Sequence, residues 1–252
     1  MKTDNWPNAL TDILIAASLL TRLPLPRLPD RAFEASARAT WAYPLAGVIT
    51  GSAAALVGYL LLLTGLPAHV AAGMVVAVLM IATGAMHEDG LADVADGFWG
   101  GYTADRRLEI MKDSQIGTFG VLALVIVTGL RWAAYATIMQ HNLLAVIAVA
   151  TLSRATLPAL MLALPNARQT GLSQSVGRPH IRSVGCSAVL GLFVSFTLVG
   201  LPALAMALAV GIAAFVMGTI ARSKIGGQTG DVLGATQQMS EISALLILLI
   251  ML

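Results

Sequence analysis

Apolar positions along this chain run in long uninterrupted stretches, without the alternation of a half-buried strand or the one-sided stripe of a surface helix. Six stretches, 41–63, 68–86, 117–139, 143–164, 184–201 and 203–221, each approach the length needed to cross a membrane. Crossing the ~30 Å hydrocarbon core takes about 20 helical residues. Two further apolar pieces, 10–20 and 242–252, are short. Eleven helical residues cover only ~16 Å at 1.5 Å per residue, so each piece reads as re-entrant, interfacial or a partial span. The pattern predicts an all-α, polytopic integral membrane helical bundle with about six full spans. It forms a single membrane-embedded catalytic domain over 1–252, with no soluble domain, repeat or low-complexity linker.

Composition agrees: 57% of residues are hydrophobic and 11% charged, where soluble domains carry about a quarter charged. The connections alternate. Those at 65–67, 141–142 and 201–202 hold no Lys, Arg, Asp or Glu, whereas the others hold 12 of the 15 basic residues. By the positive-inside rule the charged face is cytoplasmic. A net charge of +2 gives no basis for nucleic-acid binding. The lone Cys186 excludes an internal disulfide and a cysteine-based zinc site. Asp12 within the first apolar piece, followed by Arg22, Arg27 and Arg31, argues against a cleavable signal peptide.

Against this background the run His87-Glu88-Asp89-Gly90-Leu91-Ala92-Asp93-Val94-Ala95-Asp96-Gly97 stands out. Four of only 13 acidic side chains fall within nine positions at the end of an apolar stretch. Carboxylates at a membrane boundary are costly unless they face water, a cation or a functional cavity. If the helix continues past Met86, Asp89, Asp93 and Asp96 lie at i, i+4 and i+7, within roughly a 60° arc. Glu88 and His87 point elsewhere. Three aligned carboxylates repel one another, and Mg²⁺ suits such hard oxygens, with water and substrate phosphate filling its remaining positions.

Two later elements supply partners for phosphate. Arg106, Arg107 and Lys112 bring guanidinium forks and a point charge. Asp113 and Ser114 then lead into Gly117-Thr118-Phe119-Gly120, a helix start whose N–H groups can hold an anion. Further on, Gly226, Gly227, Thr229 and Gly230 free the backbone to wrap an anion, and Asp231 adds a metal ligand. Arg131 and Arg154 lie inside apolar stretches. Arg154 is placed to reach an anionic substrate, or equally to pair with a backbone carbonyl or a distant Asp.

The acid block, together with Ile110-Met111-Lys112-Asp113-Ser114-Gln115-Ile116-Gly117-Thr118-Phe119-Gly120 and Gly226-Gly227-Gln228-Thr229-Gly230-Asp231, resembles the cobalamin synthase (adenosylcobinamide-GDP ribazoletransferase) family. The three motifs occur in the family's order. The resemblance implies a Mg²⁺-dependent enzyme of the bacterial inner membrane, with its active site facing the cytoplasm. It implies corrinoid-nucleotide and α-ribazole substrates: adenosylcobinamide-GDP is joined to α-ribazole or its 5′-phosphate as a ribose hydroxyl attacks the cobinamide-side phosphorus and GMP departs. Asp89, Asp93, Asp96 and Asp231 would then hold metal, and Arg106, Arg107 and Lys112 phosphate. One carboxylate or His87 would take the hydroxyl proton. The partners otherwise expected are the lipid bilayer and no nucleic acid, with room left for a homo-oligomer. A CDP-alcohol-type phosphotransferase is the nearest alternative, but Asp89-Gly90 is not followed by that family's Ala-Arg. A cation or metabolite transporter fits less well, because only Arg131 and Arg154 lie deep in spans.

Overall fold

The computed structural model describes residues 8–252 and is almost entirely helical. The helices are α1 (Asn8–Leu20), α2 (Ser36–Ala39), α3 (Tyr43–Leu63), α4 (Ala68–Thr83), α5 (Met86–Gly100), α6 (Ala104–Ile110) and α7 (Thr118–His141). They continue with α8 (Ala145–Ala155), α9 (Leu157–Ala163), α10 (Leu172–Val176), α11 (Ile181–Val199), α12 (Pro202–Ile225) and α13 (Gly230–Ile250). Among the described residues six helical runs are long and apolar enough to span a membrane: the one ending in α3, then α7, α8 with α9, α11, α12 and α13.

Two expectations need correction. The stretch 68–86 is not one helix that continues into the acid block. After α4 the chain turns through 88° into α5. Gly84 (φ 64°) and Ala85 (φ 56°) are both left-handed, and Ala85 is the one non-glycine with positive φ among the described residues. An alanine there costs about 1–2 kcal/mol, offset in part by Ala85 N–H donating to Met80 O at 2.8 Å. The second correction concerns 242–252, which is the distal half of a full 21-residue helix, α13. Its proximal half carries Thr236, Gln237, Gln238, Ser240 and Glu241, and these masked the span.

Those polar residues are buried because α13 and α8 run through the middle of the bundle, whereas α7, α11 and α12 turn much of their length outward. Outer positions such as Leu56, Ile126, Phe193 and Phe215 are exposed and apolar, as lipid contact requires. Inside, Arg131 of α7 donates to Glu241 Oε1 at 2.9 Å, to Glu88 Oε1 at 2.7 Å and to Gln238 Oε1 at 3.0 Å. Tyr135 OH also donates to Glu241, at 3.0 Å, and Gln237 Nε2 donates to Glu241 Oε2 at 2.7 Å. Of the three expectations for Arg154, the structure takes the backbone one: Nη1 donates to Ala150 O at 2.8 Å. The Arg131 network ties α5, α7 and α13 together.

The charged loops gather at one end of the bundle. There Arg107 Nη1 donates to Lys224 O at 2.9 Å, Ser183 Oγ to Arg38 O at 3.2 Å, and Arg22 N–H to Ala82 O at 2.8 Å. At the opposite end Asn142 Nδ2 donates to Leu198 O at 3.0 Å. Replacing Arg131 by Met strands Glu88 and Glu241 in the interior, at a cost of about 3–5 kcal/mol. Thermal unfolding in detergent should show that loss, and the triple variant Arg131→Met/Glu88→Gln/Glu241→Gln should recover most of it. A single variant as stable as the parent would contradict the network's role.

Candidate active site

α5 lies across the charged end of the bundle, outside the six spans. It packs on α13 through two glycines. A Cβ on Gly90 would stand 2.7 Å from Asp231 O, and one on Gly234 would stand 3.1 Å from Met86 O. This close approach brings the α5 acids beside the first turn of α13. The helical phase expected for Asp89, Asp93 and Asp96 holds within α5, but the three side chains meet different surroundings. Asp89 is exposed, Asp93 half-buried and Asp96 buried. Glu88 leaves the arc and joins Arg131.

Asp96 accepts Gly117 N–H at 2.7 Å and Gly120 N–H at 2.9 Å. A Cβ at Gly117 would stand 2.5 Å from its carboxylate, so glycine is what admits it. The start of α7 therefore does hold an anion, as expected, but the anion is this chain's own Asp96, which complements the helix dipole. That corrects the reading of this helix start as a substrate-phosphate site.

Asp231 lies in the first turn of α13, capped by Thr229, whose Oγ1 accepts Val232 N–H at 3.3 Å. Arg168, on the loop after α9, donates from Nη1 to Asp231 Oδ2 at 3.0 Å and from Nη2 to Leu108 O at 3.0 Å. The loop is fixed against 226–229 by Gln228 N–H donating to Pro165 O and Ala167 N–H to Gln228 O, both at 2.9 Å. Gln228 also bonds Asn166 and Ser173. Between these loops lies a cleft of ≈ 180 Å³ lined by Asp89, Arg168, Thr170, Thr229, Gly230 and Asp231, among others. In the sequence Arg168 is only one of the basic loop residues and Gln228 only a member of the glycine motif, while Asn166 and Ser173 belong to no motif. The sole signals were proximity to Pro165 and to the glycine loop.

The remaining expected residues disperse. Arg106 is exposed and pairs with Glu109 at 3.0 Å. Arg107 closes the end of α12 through Lys224 O. Lys112, Asp113 and Ser114 are exposed, and Asp113 Oδ1 accepts Gln115 N–H at 3.1 Å. Gly226 (φ 75°) ends α12, and Gly227 fits tightly against Pro165. Gly230 borders the cleft, with nothing within 4 Å of where its Cβ would be. His87 is 2% exposed. Burial, with Arg154 and Arg131 nearby, holds its pKa well below the usual histidine value.

Electrostatics pick out Asp93. Burial pushes its carboxyl up to about 7, with Asp231, Asp89 and Asp96 adding to the effect and Arg168 opposing it. Such crowding of hard oxygen donors is what a small divalent cation relieves, so the donor chemistry fits Mg²⁺. Among the described residues no three His, Cys, Asp or Glu side chains already converge as a ligand set. The acids form a loose donor cluster, not a closed coordination sphere.

Comparison with known proteins gives the family. The sequence profile described as cobalamin-5-phosphate synthase matches residues 12–249. Adenosylcobinamide-GDP ribazoletransferase from Bradyrhizobium diazoefficiens is 45% identical over 248 residues, covering 97% of this chain and 95% of its own. The enzyme of the same name from Brucella anthropi is 41% identical, covering 93% and 94%, and that from Mesorhizobium japonicum is 39% identical, covering 94% and 92%. No solved structure matches. Alike over nearly its whole length, this multi-pass membrane chain belongs to the cobalamin-5-phosphate synthase family of transferases.

Proposed function

We propose that the chain joins adenosylcobinamide-GDP to α-ribazole, or to its 5′-phosphate, at the charged face of the bundle. We further infer that this face is the cytoplasmic side of a bacterial inner membrane, as its basic loops argue. The observation that carries the reading is a polar cleft lined by Asp89 and Asp231, with Asp93 close enough to feel both charges, in a chain whose curated relatives bear this enzyme name along its length. In the reaction a ribose hydroxyl oxygen bonds to the cobinamide-side phosphorus. The bond from that phosphorus to the GMP oxygen breaks, GMP departs with the electron pair, and the hydroxyl proton is released.

Asp89, Asp93 and Asp231 are the residues that would hold Mg²⁺. When bound, the ion neutralises diphosphate charge and stabilises the leaving phosphate. Asp96 contributes from behind: bound to Gly117 and Gly120, it pins α5 to the start of α7 and fixes the register of the other acids. His87 is 2% exposed, so the hydroxyl proton goes to a more accessible carboxylate of the cluster or to water it orders. The loops around Gly230 and Arg168 provide the walls that orient the nucleotide-activated substrate.

Purified protein given both substrates and Mg²⁺ should release GMP and form the joined corrinoid, and chelation of the metal should stop it. Asp93→Asn should lower turnover by at least about 10³-fold, a loss of ~4 kcal/mol in transition-state stabilisation, while inserting and folding normally. Undiminished turnover in that variant would remove the acid cluster from the mechanism.

A second expectation concerns pH. With its carboxyl near 7, Asp93 is partly protonated at neutrality in the cation-free protein, so the ion must displace a proton to bind. Lower pH favours the protonated form, so the half-saturating Mg²⁺ concentration should rise as pH falls through about 7 and level off above about 8. Measuring that concentration across the range checks the sign. A flat profile counts against Asp93 as a ligand.

A further inference from the structure

Arg168 stands in the cleft with its side chain divided three ways. Nη2 is anchored on Leu108 O, Nη1 is paired with Asp231 Oδ2, and Nε is buried without a partner. The backbone immediately before it is held by the bonds that join Pro165 and Ala167 to Gln228. Asp231 Oδ2, the oxygen that Arg168 uses, also accepts from Thr229 Oγ1 at 3.2 Å. A guanidinium and a divalent cation therefore compete for one carboxylate. Like charges repel, so a cation that takes Asp231 displaces Nη1. The displaced group does not leave the cleft, because Nη2 keeps its anchor. Nη1 is then free to turn towards the space beside Gly230, while the buried Nε stays behind it. Planar guanidinium donors suit phosphate oxygens better than any other side chain.

We propose that Arg168 is the diphosphate-binding arm of this site, parked on Asp231 in the free protein and handed to substrate phosphate when a divalent cation claims that carboxylate. The proposal rests on the cation reading above. It also replaces the exposed Arg106 and the end-capping Arg107 as the main phosphate ligand. In this arrangement one ion pair keeps the cleft closed to unaccompanied anions, because the arm is freed only once the acids are occupied. The ligand class is a nucleotide-linked diphosphate, not the phosphate-free ribazole partner.

The test uses the full chain in detergent, with Mn²⁺ alone as the spectroscopic probe and electron paramagnetic resonance as the readout. Removing the competitor in Arg168→Gln should tighten Mn²⁺ binding without substrate by about tenfold, equivalent to ~1.4 kcal/mol. The same variant should raise KM for adenosylcobinamide-GDP at least about tenfold and leave KM for α-ribazole unchanged. Arg168→Lys retains a charge near Asp231 but loses the fork. It should restore much of the parent's Mn²⁺ affinity and still show the raised KM. Unchanged or weaker Mn²⁺ binding in Arg168→Gln, or an unaltered KM for the diphosphate substrate in both variants, would overturn the proposal. Failure of the parent protein itself to bind Mn²⁺ would instead overturn the cation reading, and this inference with it.

Discussion

Everything at the charged end depends on how closely α5 can approach α13. Leu91, Val94 and Phe98 of α5 bury themselves with Val232, Ala235 and Ile242 of α13, but the closest part of the crossing needs small residues and polar pairing. Gly90 and Gly234 supply the first, since a Cβ at either would press on the partner's backbone. Glu88 supplies the second, reaching past the contact to Arg131 while Gln238 of α13 donates to the same carboxylate oxygen at 3.1 Å. With that crossing fixed, Asp89 and Asp93 must stand beside Asp231. A chain with a larger residue at 90 would keep all four carboxylates in sequence and lose the cluster in space.

The bend between α4 and α5 follows from the same need. A straight continuation of α4 would carry the acid block along the bundle axis and away from α13. Left-handed backbone at Gly84 and Ala85 turns the helix sideways instead. The exposed carbonyls and amides of such a break are tolerated where protein or water satisfies them, as at the polar end of a bundle. Arg22, whose side chain packs over Gly84 and whose N–H reaches Ala82 O, covers this one.

Much of this was legible in the amino-acid order, and the failures have physical causes. Apolar length found α3, α7, α8 with α9, α11 and α12 within a few residues, because lipid contact imposes one composition on whole helices. The same rule hid the first half of α13, whose Gln237, Gln238 and Glu241 are paid for by partners on other helices, not by their own hydropathy. Helical phase placed Asp89, Asp93 and Asp96 on one face correctly. It gave no sign that the glycines of α7 would take Asp96, since that bond spans 21 residues to Gly117. Arg168 was invisible as a site residue for a similar reason: its role comes from Asp231, 63 positions away.

Arg131 and Arg168 make similar bonds to carboxylates, yet surroundings give them opposite behaviour. Arg131 is 1% exposed, between Glu88 and Glu241 that are 9% and 2% exposed. Pulling it off either leaves an uncompensated charge where water cannot follow, a cost of several kcal/mol. That pairing is therefore fixed and serves to hold three helices. Arg168 is 14% exposed and Asp231 24%, at the edge of an open cleft. Water and incoming ions reach both partners, so the pair is worth far less and can exchange. A bundle that must stay rigid in lipid while rearranging charge around a substrate needs both kinds of pair. The depth of each arginine in the fold, more than its partner, decides which kind it is.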